Sequence, residues 1–406
     1  MNKWIHKGYY ALFALLPWSL ECTFGSWKMH LPSEPLIALL GLGLVWTVLK
    51  EPERLRSALA GNQFLWASAA WIVWMAVCAG CSSMPVVSWK YWIVETGHWW
   101  VFAVGLSLFP AFWQRAFLLF VVSMAGVVVY TLVHHSLYHF RPDQSMLAPM
   151  PFFPDHTMYG AMIAMVIFKP AKLFRQYRCS PAFDLLLLTG LLFSFSEGAW
   201  GSLIGAGVVG LLFYFRKKWR LFLWVVLLFC LTAIFFRTTI IEKTTDIVSE
   251  NVSLRERLNR YACAFRMAHD RPWTGFGPVT YQYQYLPYQR PEEMTRISVK
   301  EPVRERSPHT YGRGGGAHSE YMQALSEAGW PGLILFVVMA AAAFRGGTGQ
   351  YFRSKNREYQ IMVLLLMLAL LTFFLHGLLN NLLHDGRIAA LVWGMMAVGG
   401  RGKELQ

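Results

Sequence analysis

Hydrophobic runs of about 15 to 20 residues, parted by short polar connections, fill most of this 406-residue chain. Runs of that length are what an α-helix needs to cross the roughly 30 Å apolar layer of a bilayer. Twelve can be drawn, at about 9–25, 33–49, 64–81, 91–110, 116–136, 154–168, 182–196, 198–215, 219–236, 328–344, 360–379 and 388–400. The pattern breaks once, at about 240–330, where the chain turns polar, aromatic and arginine-rich. The expectation is an all-α, polytopic membrane protein of about 12 transmembrane helices with one long loop that itself contains helices. Nine spans fall in 1–237, the loop in 238–327, and the last three spans with a short tail in 328–406.

Two helices are predicted inside the loop. Ser253 and Glu256 have the spacing of a capping box, in which each side chain satisfies a backbone N–H near the other. Leu258, Tyr261, Ala262 and Phe265 then recur at the spacing of one buried helix face. Pro272 and the Gly275-Phe276-Gly277-Pro278 cluster end this helix, and the aromatic run 281–288 reads as a loop near the headgroups. Gly314, Gly315 and Gly316 form a turn into a second helix, from about Ala317, that enters the membrane at Trp330.

Composition agrees with the pattern. Hydrophobic residues make up 55% of the chain and charged residues 15%, well under the roughly 25% charged of soluble proteins. The net charge of +14 could suggest nucleic acid, but the basic residues cluster between apolar runs, where membrane topology explains them. Of the 37 Lys and Arg, twenty fall in the connections on the N-terminal side of the membrane. Only Lys28, Lys90, Arg141 and Arg387 fall in the short connections on the other side, and the long segment after Phe236 holds the remaining thirteen. Basic segments resist translocation, so both termini are expected in the cytoplasm and the loop on the outer face, which is the periplasm for a bacterial inner membrane. Cys78 and Cys81 have redox or zinc spacing but no second pair beside them, and read as packing residues. No cleavable signal peptide is expected, because the first apolar run lacks a small-residue cleavage site.

Candidate chemistry concentrates in the loop. His318 is of a type that exchanges a proton near neutrality; it follows the glycine turn and opens a helix, which sets it apart from an idle surface histidine. Arg257 and Arg260 lie near the start of the first helix, where the helix dipole is positive and cations do not stabilise it. An anionic partner would explain them, and the guanidinium fork of Arg257 suits a phosphate or diphosphate. Contact with lipid headgroups is the alternative, and it weighs more for Arg255, Arg260 and Arg266. Glu95 and His98 sit inside an apolar run and Glu197 between two, where an ionisable group usually faces a cavity or a partner. Asp155, His156, Asn380, Asn381, His384 and Asp385 map to the outer face, and helix capping suffices to explain them. No carboxylate cluster of ligand type appears on that face, so no metal is expected.

At these residues the chain resembles the O-antigen ligase and polymerase superfamily. Ser253 to Arg257 with Tyr261 is similar to the family's serine-glycine-arginine opening and its aromatic, with two extra residues here. The stretch Asp270-Arg271-Pro272-Trp273-Thr274-Gly275-Phe276-Gly277-Pro278 is similar to its proline-glycine signature. His318-Ser319-Glu320-Tyr321-Met322-Gln323 is similar to its histidine signature, and Glu327-Ala328-Gly329-Trp330-Pro331-Gly332 to its span entry. The segment around Asp155 and His156 resembles one that in relatives often carries an asparagine pair. One departure stands out: where the family has serine-arginine-glycine, this chain has Ser196-Glu197-Gly198.

The resemblance implies a metal-independent, cofactor-free, inverting glycosyltransferase of the bacterial inner membrane. Arg257, Arg260 and Arg255 would hold the diphosphate of an undecaprenyl-linked glycan, and His318 would take the proton of an acceptor hydroxyl. Glu197, Asp155, His156, Glu320 and Gln323 would support the site. The acceptor implied first is lipid A-core in lipopolysaccharide assembly; a polymerase, a protein O-oligosaccharyltransferase or, outside enzymes, a lipid-linked glycan transporter are the alternatives. Membrane lipids are partners, and nucleic acid is not.

Overall fold

A computed structural model describes residues 2–24, 27–169, 181–214, 251–295 and 315–400. The expected span at 219–236 lies outside them. The described helices of eight residues or more are α1 (Asn2–Leu15), α2 (Ser33–Lys50), α3 (Pro52–Leu59), α4 (Gln63–Gly80), α5 (Pro85–His98), α6 (Trp113–Ser136), α7 (His156–Ile167), α8 (Pro181–Leu192), α9 (Glu197–Tyr214), α10 (Val252–Asp270), α11 (Glu320–Arg353), α12 (Arg357–His376) and α13 (Gly386–Gly399).

Among the described residues five helices, α2, α4, α6, α11 and α12, are long and apolar enough to cross a membrane. Helices α7, α8, α9 and α13 are apolar but shorter than that standard. Twelve residues of helix rise only about 18 Å, and of these elements α7 and α13 are packed mostly on protein neighbours. Helix α13 shows this most fully: every residue from Arg387 to Gly399 is buried, as an all-round apolar helix must be. Its first turn is anchored by a buried ion pair between Arg387 and Asp385, with the Arg387 guanidinium 4.6 Å from the centre of the Phe153 ring.

Two expected spans take a different form. The run 9–25 is not one helix, because α1 stops at Leu15, a 3-10 turn follows at Leu16–Trp18 with Pro17 inside it, and two strands then pair antiparallel. Pro17 lacks an N–H to continue the helix, and the strand residues Cys22, Thr23 and Phe24 in β1 (Leu20–Phe24) favour extended backbone; β2 is Trp27–Leu31. The all-α expectation therefore gains one two-stranded ribbon. The run 91–110 starts earlier, at Pro85, and continues past α5 through a π-helical stretch, Trp99–Val104, into Gly105–Leu108. Buried Glu95 in α5 accepts a hydrogen bond from the Trp393 indole at 3.0 Å, the partner that its position inside an apolar run requires.

Connections that the basic-residue pattern assigns to one face gather at one end of the bundle. Ser83 donates its backbone N–H to the Phe276 carbonyl at 3.1 Å, and Ser88 its hydroxyl to the Pro278 carbonyl at 3.0 Å. Arg387 reaches the Phe152 carbonyl, and the Tyr261 hydroxyl the Leu378 carbonyl. The described part of the loop is thus clamped onto this end by two separate connections, those after α4 and after α12. It also has a small core of its own, formed by Cys263, Ala264, Met267, Phe276, Tyr281, Tyr285 and Ala317.

That core corrects two expectations. The 281–288 run does not lie open near headgroups: Tyr281 and Tyr285 are buried and stack at 5.2 Å, and the Tyr281 hydroxyl donates to the Arg260 carbonyl at 2.8 Å. The cap of α10 is Asn251, whose side chain accepts from the Leu254 N–H, so Ser253 lies within the helix. Glu256 is drawn instead into a buried pair with Arg260, and the buried face is that of Glu256, Asn259, Arg260, Cys263, Ala264 and Met267. Leu258 and Phe265, expected inside, are 47% and 49% exposed.

Candidate active site

The site is built around a break in a helix. Gly329 in α11 has φ 69°, and the helix is non-helical there, which frees backbone groups of the turns on either side. The proline-glycine segment of the loop satisfies them. Phe276 and Gly277 donate their N–H groups to the carbonyls of Ser326 and Glu327 at 3.1 and 2.9 Å, and Trp330 donates to the Pro272 carbonyl at 2.8 Å. The Trp74 indole takes the Ala328 carbonyl at 2.9 Å. A Cβ on Gly275 would stand 2.4 Å from the Glu327 carbonyl carbon, and one on Gly329 2.2 Å from the Trp273 oxygen. These glycines are therefore required by backbone packed on backbone, which is why the two sequence signatures occur together.

This docking fixes the segment that carries His318. Ser319 caps α11, and the helix starts at Glu320 rather than near Ala317. His318 just before it has φ 53°, a left-handed conformation that a residue with a Cβ holds only when its neighbours impose it. They do so from both sides. Arg260 Nη1 donates to the Gly316 carbonyl at 3.2 Å, and the Ala317 N–H to Gln323 Oε1 at 2.8 Å. The Tyr261 hydroxyl lies 3.2 Å from the His318 carbonyl while it reaches the Leu378 carbonyl, and Ser319 Oγ and the Glu320 N–H both donate to the Gly377 carbonyl. Burial of the ring, then the charges of Arg260 and Arg257, hold the His318 pKa down to about 4. Its imidazole is therefore neutral at physiological pH, with a lone pair available as a proton acceptor.

The three candidate arginines divide by environment. Arg260 is buried, paired with Glu256 at 3.0 Å, and stacked 4.5 Å from the centre of the Tyr285 ring. Glu256 in turn accepts from Thr295 at 2.8 Å. So much of the Arg260 fork is committed to the protein that its main effect is to shape the His318 loop and lend it positive potential. Arg255 is exposed on the far side of the helix start. Arg257 is half-buried, and among the described residues it has no hydrogen-bonded or ion-paired partner. Its charge reaches His156, His318 and His376, which makes it the guanidinium placed to receive an outside anion.

The remaining candidates take structural positions or approach the same centre. Gln323 orients the His318 loop and donates to Glu327 at 2.5 Å. Glu320 is buried and accepts the N–H groups of Leu382 and Leu383 at 2.5 and 2.7 Å, tying down the connection after α12. Asp155 caps α7 through the N–H groups of Thr157 and Met158, and His156 beside it lies within reach of the Arg257 charge. Glu197 is exposed on the first turn of α9, with no hydrogen-bonded or ion-paired partner among the described residues. Asp385 caps α13, and His384 bonds the Tyr91 hydroxyl at 2.9 Å. Cys78 packs toward the Ala328 carbonyl, and both it and Cys81 are free thiols.

One residue at this centre is not legible as such in the sequence. His376 ends α12, is 1% exposed, and has both ring nitrogens without a partner among the described residues. From the sequence it falls inside the expected span 360–379, and the usable signal was simply that an ionisable residue in an apolar run is rarely idle.

A membrane protein in which a polar loop and the helix ends at one end of the bundle enclose a histidine and an uncommitted arginine has the parts to bind an anionic lipid-linked substrate and move a proton. Residues 182–337 match a family model described as O-antigen ligase, so the chain carries a domain of the O-antigen ligase-like superfamily. The match takes in Glu197, the arginines of α10 and the His318 segment, and leaves out Asp155, His156 and His376. No curated protein matches the chain significantly.

Proposed function

We propose that the protein transfers a glycan from a polyprenyl diphosphate, of the undecaprenyl class, to an acceptor sugar hydroxyl at the periplasmic face of a bacterial inner membrane. The acceptor is the lipid A-core of lipopolysaccharide. The observation that carries this reading is the neutral, loop-held His318 beside Arg257, an arginine with no described partner, within the matched domain.

In this reading Arg257 grips the diphosphate through two parallel N–H bonds and stabilises the charge that grows as it departs. Arg260 adds potential from behind while holding the Gly316 carbonyl. His318 accepts the acceptor hydroxyl's proton as that oxygen attacks the anomeric carbon, the carbon–diphosphate bond breaks, and configuration inverts. A base whose conjugate acid has a pKa of about 4 is weak on its own. The incoming diphosphate offsets the two guanidinium charges that depress it, so His318 becomes more basic when donor is bound.

The test is transfer by purified, membrane-reconstituted protein from a labelled undecaprenyl diphosphate glycan. His318→Ala should lose about 100- to 10,000-fold in rate, the usual contribution of a general base, while still binding donor. Near wild-type transfer by that variant would remove His318 from the chemistry. A deletion strain should lose capped core and accumulate free polymer, whereas single repeat units left on core would instead mark a polymerase.

A further inference from the structure

His376 and the start of α9 form an arrangement that the mechanism above does not use. The His376 ring is 1% exposed, yet neither of its nitrogens has a partner among the described residues. A neutral imidazole carries one donor and one acceptor, and leaving each buried without a partner is costly. The ring faces the first turn of α9: a Cβ built on Gly198 would lie 2.8 Å from His376 Nε2 and 3.4 Å from Asn380 Nδ2. Only a glycine leaves that space open.

Helix α9 is 18 residues long, and its first turn presents N–H groups and the positive end of the dipole. Within that turn the N–H groups of Ala199 and Trp200 bond back to the Ser196 carbonyl, which leaves those of Glu197 and Gly198 as the helix start's free donors. Arg257 is within electrostatic reach of His376. Among the described residues, the charged groups near the position include Arg257, Glu320 beside Gly377 and, exposed on the α9 turn, Glu197.

We infer that His376 is a substrate-contacting residue, donating its Nε2–H to a phosphate oxygen of the lipid diphosphate held between Arg257 and the Gly198 end of α9. This rests on the glycosyl-transfer reading, and it adds a binding residue from outside the matched domain. The class of ligand follows from the chemistry of the position: one neutral N–H donor, two backbone N–H groups at a helix start, and a guanidinium together suit a doubly anionic group. An acceptor hydroxyl would leave the guanidinium and the helix start unused.

The probe is farnesyl diphosphate, added to the full-length protein in lipid nanodiscs, with affinity measured by competition against a labelled polyprenyl diphosphate. His376→Leu removes the donor and should weaken binding at least about tenfold, as expected for a lost hydrogen bond to a charged group. His376→Gln offers an N–H near the same place and should stay within about threefold of wild type. Gly198→Ala places a methyl group against Nε2 and should weaken binding like His376→Leu. Farnesol, which lacks the phosphates, should not compete in any form.

If His376→Leu or Gly198→Ala is folded and binds as wild type, the assignment of His376 is overturned. Should His376→Leu fail to fold, the Gln and Gly198→Ala pair decides: equal affinity in both also overturns it. Arg257→Ala separates this idea from the larger one. Lost binding in Arg257→Ala with full binding in His376→Leu sinks only the His376 contact, while full binding in Arg257→Ala sinks the diphosphate site itself.

Discussion

The pH dependence of turnover tests the site most directly, because His318 should titrate at two different places. In the free protein it is neutral above about pH 4, held there by burial and by Arg260 and Arg257. The ratio kcat/KM reports the free enzyme and kcat the substrate complex. Plotted for the donor, kcat/KM should be flat from about pH 8 to 5 and fall only with an apparent pKa of about 4. The donor then adds negative charge beside the arginines. A unit charge about 10 Å away at an effective dielectric near 20 is worth about 1.7 kcal/mol, slightly more than one pKa unit at about 1.36 kcal/mol per unit. Its sign favours the imidazolium, so the acid limb of kcat should lie about one to two units above that of kcat/KM. The assay is initial-rate transfer at saturating acceptor, with labelled donor varied at each pH. Coincident limbs would refute the coupling between His318 and the diphosphate. A loss of turnover on the alkaline side that disappears in His318→Gln would make the charged ring the working form and overturn the base.

Arg257→Lys keeps the charge but loses the fork, and should cut transfer at least about tenfold with normal membrane insertion; near wild-type rates would refute bidentate recognition. Glu256→Ala leaves Arg260 buried and unpaired, a change of about 3–5 kcal/mol, so it should lower Tm sharply in a thermal melt while Arg257→Ala leaves Tm unchanged. Glu197→Gln should be nearly silent in both transfer and melting, because the carboxylate is exposed and has no ion-pair partner among the described residues. In a background without Cys22, Cys81, Cys179 and Cys230, a cysteine at exposed Arg290 should react with an impermeant thiol reagent in intact spheroplasts, and one at exposed Arg357 only after lysis; the reverse order would overturn the orientation.

The signatures around Pro272, His318 and Gly329 were legible because each is a short string whose glycines answer a local backbone demand, and the structure shows that demand directly: Gly275 and Gly329 lie against carbonyls where no side chain fits. The face of α10 was not. Hydrophobic periodicity selects Leu258 and Phe265, but the buried stripe contains Glu256, Asn259 and Arg260, polar groups whose burial is tolerable only because they pair with one another and with Thr295 and Gly316. A count of apolar positions cannot see such pairing. The exposed stripe of Leu258 and Phe265, together with Trp273 at 73% exposure, is what a helix lying along a membrane surface would offer to lipid. Span counting failed for a related reason. Helices α7 and α13 are largely enclosed by protein and need not match the bilayer, so a rule calibrated on lipid thickness misjudges their lengths.

The acidic residue at the start of α9 has a physical consequence for the site. An arginine at position 197 would add a mobile cation next to the diphosphate; Glu197 instead supports the helix dipole from the solvent side by about 0.3–1 kcal/mol and adds one negative charge to the approach. Such a site must hold its anion with fixed groups. Those at hand are the two free N–H groups of the α9 turn and the unpartnered His376 ring, with Arg257 as the remaining cation. Fixed donors cost little reorganisation when charge develops on the leaving group, which is the condition for them to act on the transition state rather than on ground-state binding. A long flexible cation would favour both states alike. In the proposed reading, glutamate rather than arginine at this position therefore trades uniform attraction for geometry, and it places more of the recognition on residues whose orientation the bundle sets.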